Sequence, residues 1–573
     1  MQPYLLKVKF LFPILIILFL KQTISFAQHE NFGKDRGKIS KHAMVVTAHP
    51  NASKIGIEIL KKGGNVFDAS IAVQFALAVS FPAAGNIGGG GFMVYRTRDT
   101  KIGTLDYREK GSMLAYEKMF QDSLGNIIPS LSTNSGLASG VPGTVDGMCE
   151  IHKKFGSLPW KDLIQPAIDL ALKGVIVTEK EANAFNSARK DFIKYNKNFT
   201  PQFVKDNEWK KGDTIKHIDL GHTLERIRDN GRDGFYSGET AEKIISSMKI
   251  NNGLISFEDL KNYKSIWREP IIGKYKEYQI IGIPPPSSGG IALLSLLKMT
   301  EGFNLKKYGW QSSKSIHLIT EAEKRVYADR SQYLGDPDFI KIPVKTLIDE
   351  KYIIERAKTI DTIKATPSSE IRNGAIPGYE SMETTHFSIA DDKGNAVSIT
   401  TTLNDWFGSK IIVEGAGFIL NNEMDDFSSK PGEPNIFGMI GGKANAISPG
   451  KRMLSSMTPT IIIKNNKLFM VVGTPGGSTI ITSVFQTILN VIEYGMTMKE
   501  AVSVPRFHSQ WLPDNIQPEK NAFSNQTIVE LERMGHKIEP RKPYGRVDGI
   551  LFLKNKKMEG GADPRGDDTA DGY

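Results

Sequence analysis

The sequence predicts a mixed α/β chain, and three observations carry that expectation. Apolar residues recur at helical spacing through much of the first two thirds, as in Pro166–Ala171 and Glu321–Arg330. Short strand-like runs dominate beyond Thr384. Glycine clusters punctuate the junctions between elements instead of being spread through them. With 573 residues, 40% of them hydrophobic and 24% charged, the chain has the composition of a globular enzyme and can bury a large core. One large α/β unit and several domains both remain compatible with these figures.

Taken in order, residues 28–41 are polar and are expected to be loose, with order starting near Met44–Ala48. Ile55, Ile57, Ile59 and Leu60 before Lys61-Lys62-Gly63-Gly64 predict a helix closed by a glycine cap. Asn65–Val79 is apolar on every face and must be a buried helix. It leads into Gly85-Asn86-Ile87-Gly88-Gly89-Gly90-Gly91 and then a strand, Phe92–Tyr95. Phosphate loops of the common kinds run strand, glycines, helix; here the order is reversed and no Lys-Ser or Lys-Thr follows, so the run predicts close backbone packing. The strand Gly103–Arg108 ends on Arg108, whose guanidinium could receive a carboxylate, although by itself a surface ion pair is the simpler expectation. Residues 150–360 are expected to be mostly helical, interrupted by Pro284-Pro285-Pro286-Ser287-Ser288-Gly289-Gly290, and residues 361–383 to form an exposed, flexible connection. Strands are expected at 385–390, 396–403, about 459–464 and 468–473, followed by a helix over Thr479–Tyr494.

The amino terminus has Lys7 and Lys9, an apolar run of 11 residues from Phe10 to Leu20, and Ser25-Phe26-Ala27. This pattern predicts a cleaved secretory signal over residues 1–27; the run is too short for a spanning helix, which needs about 20 residues. Export to the periplasm or the medium is therefore expected. Removing the signal lowers the formal charge from +10 to +7. The basic residues are scattered, which predicts a solvated surface and no nucleic-acid partner. Cys149 is alone, so no intrachain disulfide can form, and it is expected to be a small buried hydrophobe. No metal-ligand spacing is present, and neither a metal nor another cofactor is expected.

The chemistry points to Thr384. Glu383-Thr384-Thr385-His386-Phe387-Ser388-Ile389 and Ser398-Ile399-Thr400-Thr401-Thr402-Leu403 flank Asp391-Asp392-Lys393-Gly394-Asn395, which predicts an antiparallel hairpin with Thr384 opposite Thr401 or Thr402. A threonine hydroxyl needs a base, and no histidine or lysine is placed to serve by spacing. Its own α-amine would serve if the chain were cut before Thr384, since that amine titrates at about 7.7 to 8.0. The ordinary β-propensity of threonine explains the same run without chemistry, and both readings stand at this point. Gly473-Thr474-Pro475-Gly476-Gly477-Ser478, ahead of a helix, presents backbone N–H groups suited to an oxyanion, or forms only a tight turn.

Further motifs narrow this. Gly63-Gly64-Asn65 with Asp68-Ala69, the glycines at 88–91, Arg108-Glu109, Val141-Pro142-Gly143, Pro285–Gly290 and Asp329-Arg330 recur in order with Thr384–Ser388, Asn421–Phe427, Leu454–Met457 and Pro475–Ser478. Over essentially the whole mature chain the sequence resembles the γ-glutamyltransferase (γ-glutamyl transpeptidase) family. The resemblance implies an N-terminal nucleophile fold, a four-layer αββα sandwich. It also implies a precursor that cuts itself between Glu383 and Thr384 into a large subunit, 28–383, and a small one, 384–573, which remain together as a heterodimer.

By the same resemblance Thr384 is the nucleophile, Thr402 its hydrogen-bonding partner, and Gly476 and Gly477 the oxyanion donors. Arg108, with Ser455 and Ser456, would hold the α-carboxylate of a γ-glutamyl group, and Asn404, Glu423 and Asp426 its α-ammonium. The implied substrates are glutathione and other γ-glutamyl compounds, with water, amino acids or dipeptides as acceptors. Pro431–Arg452 resembles a lid in which Phe437 replaces a frequent tyrosine, so weaker closure is expected. Related acylases of β-lactam side chains and poly-γ-glutamate capsule enzymes are the nearest alternatives; an uncut, inactive binding protein is the alternative from another class.

Overall fold

The computed structural model describes residues 32–371, 384–430 and 442–573. Fourteen strands among these residues build two antiparallel sheets: β1 (Lys38–Ser40), β2 (Ala43–Thr47), β3 (Gly90–Arg96), β4 (Ile102–Tyr107), β5 (Ile266–Arg268), β6 (Ile271–Tyr275), β7 (Tyr278–Gly282), β8 (Thr384–Asp391), β9 (Ala396–Thr402), β10 (Thr460–Lys464), β11 (Lys467–Gly473), β12 (Asp548–Phe552), β13 (Met558–Gly561) and β14 (Thr569–Gly572). One sheet has the order β14-β2-β8-β9-β3-β4-β5 and the other β1-β13-β12-β11-β10-β7-β6.

Period-two alternation explains how the sheets stack. Phe387 and Ile389 of β8, with Val397 and Ile399 of β9, face a helix layer that includes α1 (Pro50–Lys61) and α2 (Val66–Ser80). On the opposite face Val46, Phe92, Val94, Ala390 and Ala396 meet Ile281, Ile461, Ile463, Val471 and Ile550 of the second sheet. The far side of that sheet, with Ile280, Ile462, Met470 and Val472, packs on α3 (Gly289–Glu301), α4 (Ser313–Tyr333) and α5 (Thr479–Ile492). The result is the αββα sandwich. α2 is buried along its whole length, as its all-round apolar sequence requires, and starts at a capping box between Asn65 and Asp68.

The glycine run does what close packing predicts. A Cβ on Gly89 would lie 2.0 Å from the Thr402 carbonyl oxygen, and one on Gly91 would lie 2.5 Å from that of Thr400. The approach of β3 to β9 therefore requires glycine at 89 and 91, where Gly91 pairs with Thr401; Phe92 pairs with Thr400 one residue further on.

Two expectations need correction, one needs an addition and one is met in substance. Residues 28–41 are not all loose, because Lys38–Ser40 forms β1, an edge strand paired with β13. The stretch 150–360 contains β5 to β7 as well as helices; β6 and β7 form a hairpin whose Tyr278–Gly282 strand is almost continuously buried and so lacks clean alternation. Residues 361–371 are anchored: Ser368 Oγ donates to the Trp511 carbonyl at 2.5 Å and its N–H to Asp514 at 2.7 Å. The rest of that connection, 372–383, lies outside the described residues, as do residues 1–27. Cys149 packs half-buried against the helix-layer core, and burial pushes its thiol up to about 12, which suits a hydrophobe and not a nucleophile. Among the described residues no helix is long and apolar enough to cross a membrane.

Gly89→Ala is expected to cost about 2 kcal/mol or more, because the new methyl group meets backbone and not a movable side chain. A thermal melt within 1 °C of the wild type would show that β3 can move away from β9.

Candidate functional site

β8 and β9 pair as the hairpin reading requires, with Thr384 directly opposite Thr402 and Thr385 opposite Thr401. The turn is held by the Asp391 carboxylate, which accepts from the Lys393 and Asn395 N–H groups at 3.0 and 2.9 Å. Thr384 Oγ1 lies 3.5 Å from Thr402 Oγ1, and Thr402 Oγ1 accepts the Asn404 N–H at 2.7 Å. Asn404 stands just past the strand at φ 78°, a left-handed conformation that asparagine tolerates, and its amide donates to the Asn422 carbonyl at 3.0 Å.

The nearest histidine along β8 is not available as a base. His386 is buried, with Nδ1 2.9 Å from Thr400 Oγ1 and Nε2 3.0 Å from Ser388 Oγ, and burial lowers its pKa to about 3. Both ring nitrogens are engaged in bonds that knit the space between the sheets.

β11 delivers the glycine turn. Gly476 and Gly477 take φ 136° and 56°, and a Cβ on Gly476 would approach Thr479 Oγ1 to 2.5 Å. The Gly476 carbonyl is drawn toward α5 by the Thr479 N–H at 3.0 Å and hydroxyl at 2.6 Å. Among the described residues neither the Gly476 nor the Gly477 N–H donates a hydrogen bond. Behind the turn, the Tyr327 hydroxyl donates to the Ser478 carbonyl, and Ser478 Oγ donates to Gln510 Oε1 at 2.6 Å. His508 joins Gln510 at 2.8 Å and Thr482 at 2.9 Å.

The charged groups form one buried knot. Arg108 is fully buried, which overturns the surface ion-pair reading. Its guanidinium bonds to Glu423 and to Asp426, stands 3.6 Å from Glu109, and donates to the Met453 and Leu454 carbonyls at 3.4 and 3.3 Å. Burial works against the Arg108 charge, but Glu423, Asp426 and Glu109 more than offset it and hold the guanidinium above its ordinary value. Around a single cation the three acids cannot all keep their charge cheaply. Burial raises Glu423 well above the usual carboxylate range and Asp426 above its own, each against the pull of Arg108, and pushes Glu109 up to about 7.

The serine pair is presented by a loop-on-loop clasp. Ser288 donates both its N–H and its hydroxyl to the Ser455 carbonyl at 2.8 Å, and the Ser455 N–H donates to the Pro286 carbonyl at 2.9 Å. One cavity is thus lined by Arg108, Thr384, Thr402, Asn404, Glu423, Asp426, Ser455, Ser456 and Gly477, with Met457 and Ile480 as its apolar wall. Gly476 lies next to that lining; Glu383 and Phe437 lie outside the described residues, although 442–452 of the lid segment is described and Asn445 donates to the Asp426 carbonyl at 2.6 Å. Sequence reasoning gave no role to Met457, Ile480, Glu109, Tyr327 or Arg330. The Arg108-Glu109, Asp329-Arg330 and Leu454–Met457 motifs contained three of these without assigning them a role.

A second cluster, His317, Glu321 and His536, brings three ligand-type side chains within 4.8 Å. His317 Nδ1 and His536 Nε2 are 2.8 Å apart, a histidine to histidine hydrogen bond, and His317 Nε2 bonds to the Asp361 carbonyl at 2.8 Å. Glu321 is bonded to Arg325 at 2.7 Å and lies 3.5 Å from Lys324, two fixed cations that oppose a third. The cluster is a structural one.

Two face-packed antiparallel sheets between helix layers, with a threonine opening a central strand beside a turn of two glycines, define an N-terminal nucleophile fold. The family model described as gamma-glutamyltranspeptidase matches residues 52–573. The chain is 46% identical to the glutathione hydrolase proenzyme of Escherichia coli strain K12, over 93% of this chain and 92% of that one. Among solved structures, a cephalosporin acylase from Bacillus halodurans superposes with a TM-score of 0.80 at 26% identity, covering 95% of this chain and 98% of its own. A Helicobacter pylori gamma-glutamyltranspeptidase superposes with a TM-score of 0.57 at 42% identity, covering 60% of this chain and 97% of its own. The chain belongs to the gamma-glutamyltranspeptidase family.

Glu109 generates a pH test. Its folded pKa of about 7 lies above the ordinary 4.5, so its contribution to stability is complete below about pH 4.5 and is lost as pH rises through 7. Glu109→Gln should therefore gain stability relative to the wild type as pH rises from 5 to 8. A difference in denaturation midpoint that stays constant over that range would show that Glu109 ionises normally in the fold.

Proposed function

We propose that this chain is a glutathione hydrolase with γ-glutamyltransferase activity, made as an exported precursor and activated by cleavage between Glu383 and Thr384. The observation that carries this reading is the presence in one cavity of Thr384 with buried groups of both signs, Arg108 against Glu423 and Asp426. A γ-glutamyl head group is a zwitterion. Its α-carboxylate would take over the Arg108 guanidinium, assisted by Ser455 and Ser456. Its α-ammonium would take over the released carboxylates, Glu423 and Asp426, with Asn404 alongside.

The chemistry follows from the hydroxyl's lack of a side-chain base. With His386 committed to Thr400 and Ser388, the group available to Thr384 is its own α-amine, which exists only after the cut. Thr384 Oγ bonds to the γ-carbonyl carbon while its proton passes to that amine, and the carbonyl oxygen becomes an anion facing the Gly476 and Gly477 N–H groups. Collapse breaks the C–N bond, and the leaving nitrogen departs with the proton. Water then attacks the ester, releasing glutamate and restoring the hydroxyl; an amino-acid or dipeptide amine attacking instead yields a new γ-glutamyl amide. Thr402, accepting from the Asn404 N–H and facing Thr384, would orient the nucleophile. Residues 28–383 and 384–573 would be the two subunits, held together because both contribute hydrogen-bonded neighbouring strands to each sheet.

The likeness to a cephalosporin acylase keeps a second acyl class in view. Acyl groups lacking the amine would leave Glu423 and Asp426 buried beside Arg108 with nothing to pair with on the substrate side, and that disfavours glutaryl substrates. Export rests on the signal-like pattern of residues 1–27.

Intact mass and amino-terminal sequencing of the purified protein, with glutathione as substrate, test the proposal. Two chains, one starting at Thr384, should be found with release of glutamate and cysteinylglycine. Cleavage without those products would move the substrate to another amide, and a single uncut chain would remove the base. Thr384→Ala should leave one unprocessed, inactive chain; two normal subunits from it would place the nucleophile elsewhere. Arg108→Ala should raise KM for γ-glutamyl substrates far more than it slows processing, and an unchanged KM would remove Arg108 from the substrate site.

A further inference from the structure

We propose that Arg330, which does not line the cavity, is a positioning residue that makes Ser456 a hydrogen-bond donor to the substrate α-carboxylate and so sets the selectivity for acyl groups that carry one. The proposal rests on the γ-glutamyl reading of the site. Arg330 lies on α4, buried behind the serine pair. Its guanidinium edge spans two serines: Nε donates to Ser288 Oγ and Nη2 to Ser456 Oγ, each at 2.8 Å.

A guanidinium only donates, so Ser456 Oγ must accept from it, and a hydroxyl that accepts from a cation is polarised into a stronger donor through its own proton. Ser456 lines the cavity together with Arg108, and the anionic acceptor that a γ-glutamyl group brings there is its α-carboxylate. Ser288, the other serine on the same edge, holds the Ser455 carbonyl, so one side chain braces both members of the pair. The two bonds use the planar fork of arginine; an ammonium at the same place is a point donor and cannot align both. Arg330 also bears on the other half of the head-group site, because its charge helps to pull down the Asp426 carboxyl that burial raises.

The test compares wild type, Arg330→Gln, Arg330→Lys and Ser456→Ala on three anilides: γ-glutamyl, its α-carboxamide analogue and glutaryl, which lacks the amine. Wild type should favour the γ-glutamyl anilide over both others; failure of that preference would overturn the reading of the site itself, and the proposal with it. Arg330→Gln should raise KM for the γ-glutamyl anilide about tenfold with kcat little changed, the scale of one charge-assisted hydrogen bond. Its preference for carboxylate over carboxamide should fall by a similar factor, while its rejection of the glutaryl compound persists. Ser456→Ala should reproduce that loss, and adding Arg330→Lys to it should cause little further change in the carboxylate preference. A purely structural arginine would instead lower kcat on all substrates together or leave the carboxylate to carboxamide ratio at the wild-type value. Either result overturns the proposal, as does an unfolded Arg330→Gln accompanied by an Arg330→Lys of unaltered ratio.

Discussion

The ladder between β8 and β9 is the interaction on which the rest of the structure depends. It places Thr384 opposite Thr402, and because side chains alternate along a strand, a slip of one residue would turn the Thr384 hydroxyl toward the helix layer where Phe387 and Ile389 are packed. The apolar faces therefore enforce the register that the chemistry requires. The same demand extends outward: β9 can take β3 as its other neighbour only because Gly89 and Gly91 have no side chains to meet the Thr400 to Thr402 backbone. A central strand that carries threonines on both faces is held in register by the strands beside it.

The second constraint is electrostatic. Placing Arg108 wholly inside the protein is tolerable only with carboxylates against it, and placing Glu109, Glu423 and Asp426 around one cation leaves more negative charge than that cation can balance. Protons make up part of the difference, as the raised carboxyl groups indicate. An incoming ammonium would do the same work as those protons. The knot is thus poorly balanced by its own cation, and under the proposed function the ammonium of a γ-glutamyl group would meet these carboxylates while its carboxylate meets Arg108.

What could be read from the sequence divides along the range of the interactions. The Thr384 hairpin, the buried helix after Asn65, the strands around 460 and 470 and the packing role of the glycines depend on local pattern and turn chemistry, and each is found where it was expected within a residue or two. The edge strands β1 and β14, the inner strand β13 and the hairpin of β6 and β7 were not foreseen; they are short, or buried on both faces, and lack the alternation that marks a strand. Arg108 shows the limit most clearly. Its neighbours in the chain suggest a surface ion pair, while its partners Glu423 and Asp426 lie more than 300 positions away, and only the resemblance to a family connected them beforehand.

α4 shows why distant residues of this kind are held together. Tyr327 and Arg330, one turn apart, reach the Ser478 carbonyl beneath the glycine turn and the Ser456 hydroxyl beside it. One turn earlier, Lys324 and Arg325 hold the carbonyls of Thr366 and Thr359, in the connection that leads toward Glu383. One helix of the segment before Thr384 therefore touches the residue after the glycine turn, the serine pair and the connection that leads toward Glu383. Since the Tyr327 and Arg330 contacts cross the Glu383–Thr384 boundary without using that bond, and the Lys324 and Arg325 contacts lie wholly before it, cutting it would leave the scaffold of the site in place. Backbone cleavage here can release an amine without loosening the groups that must already surround it.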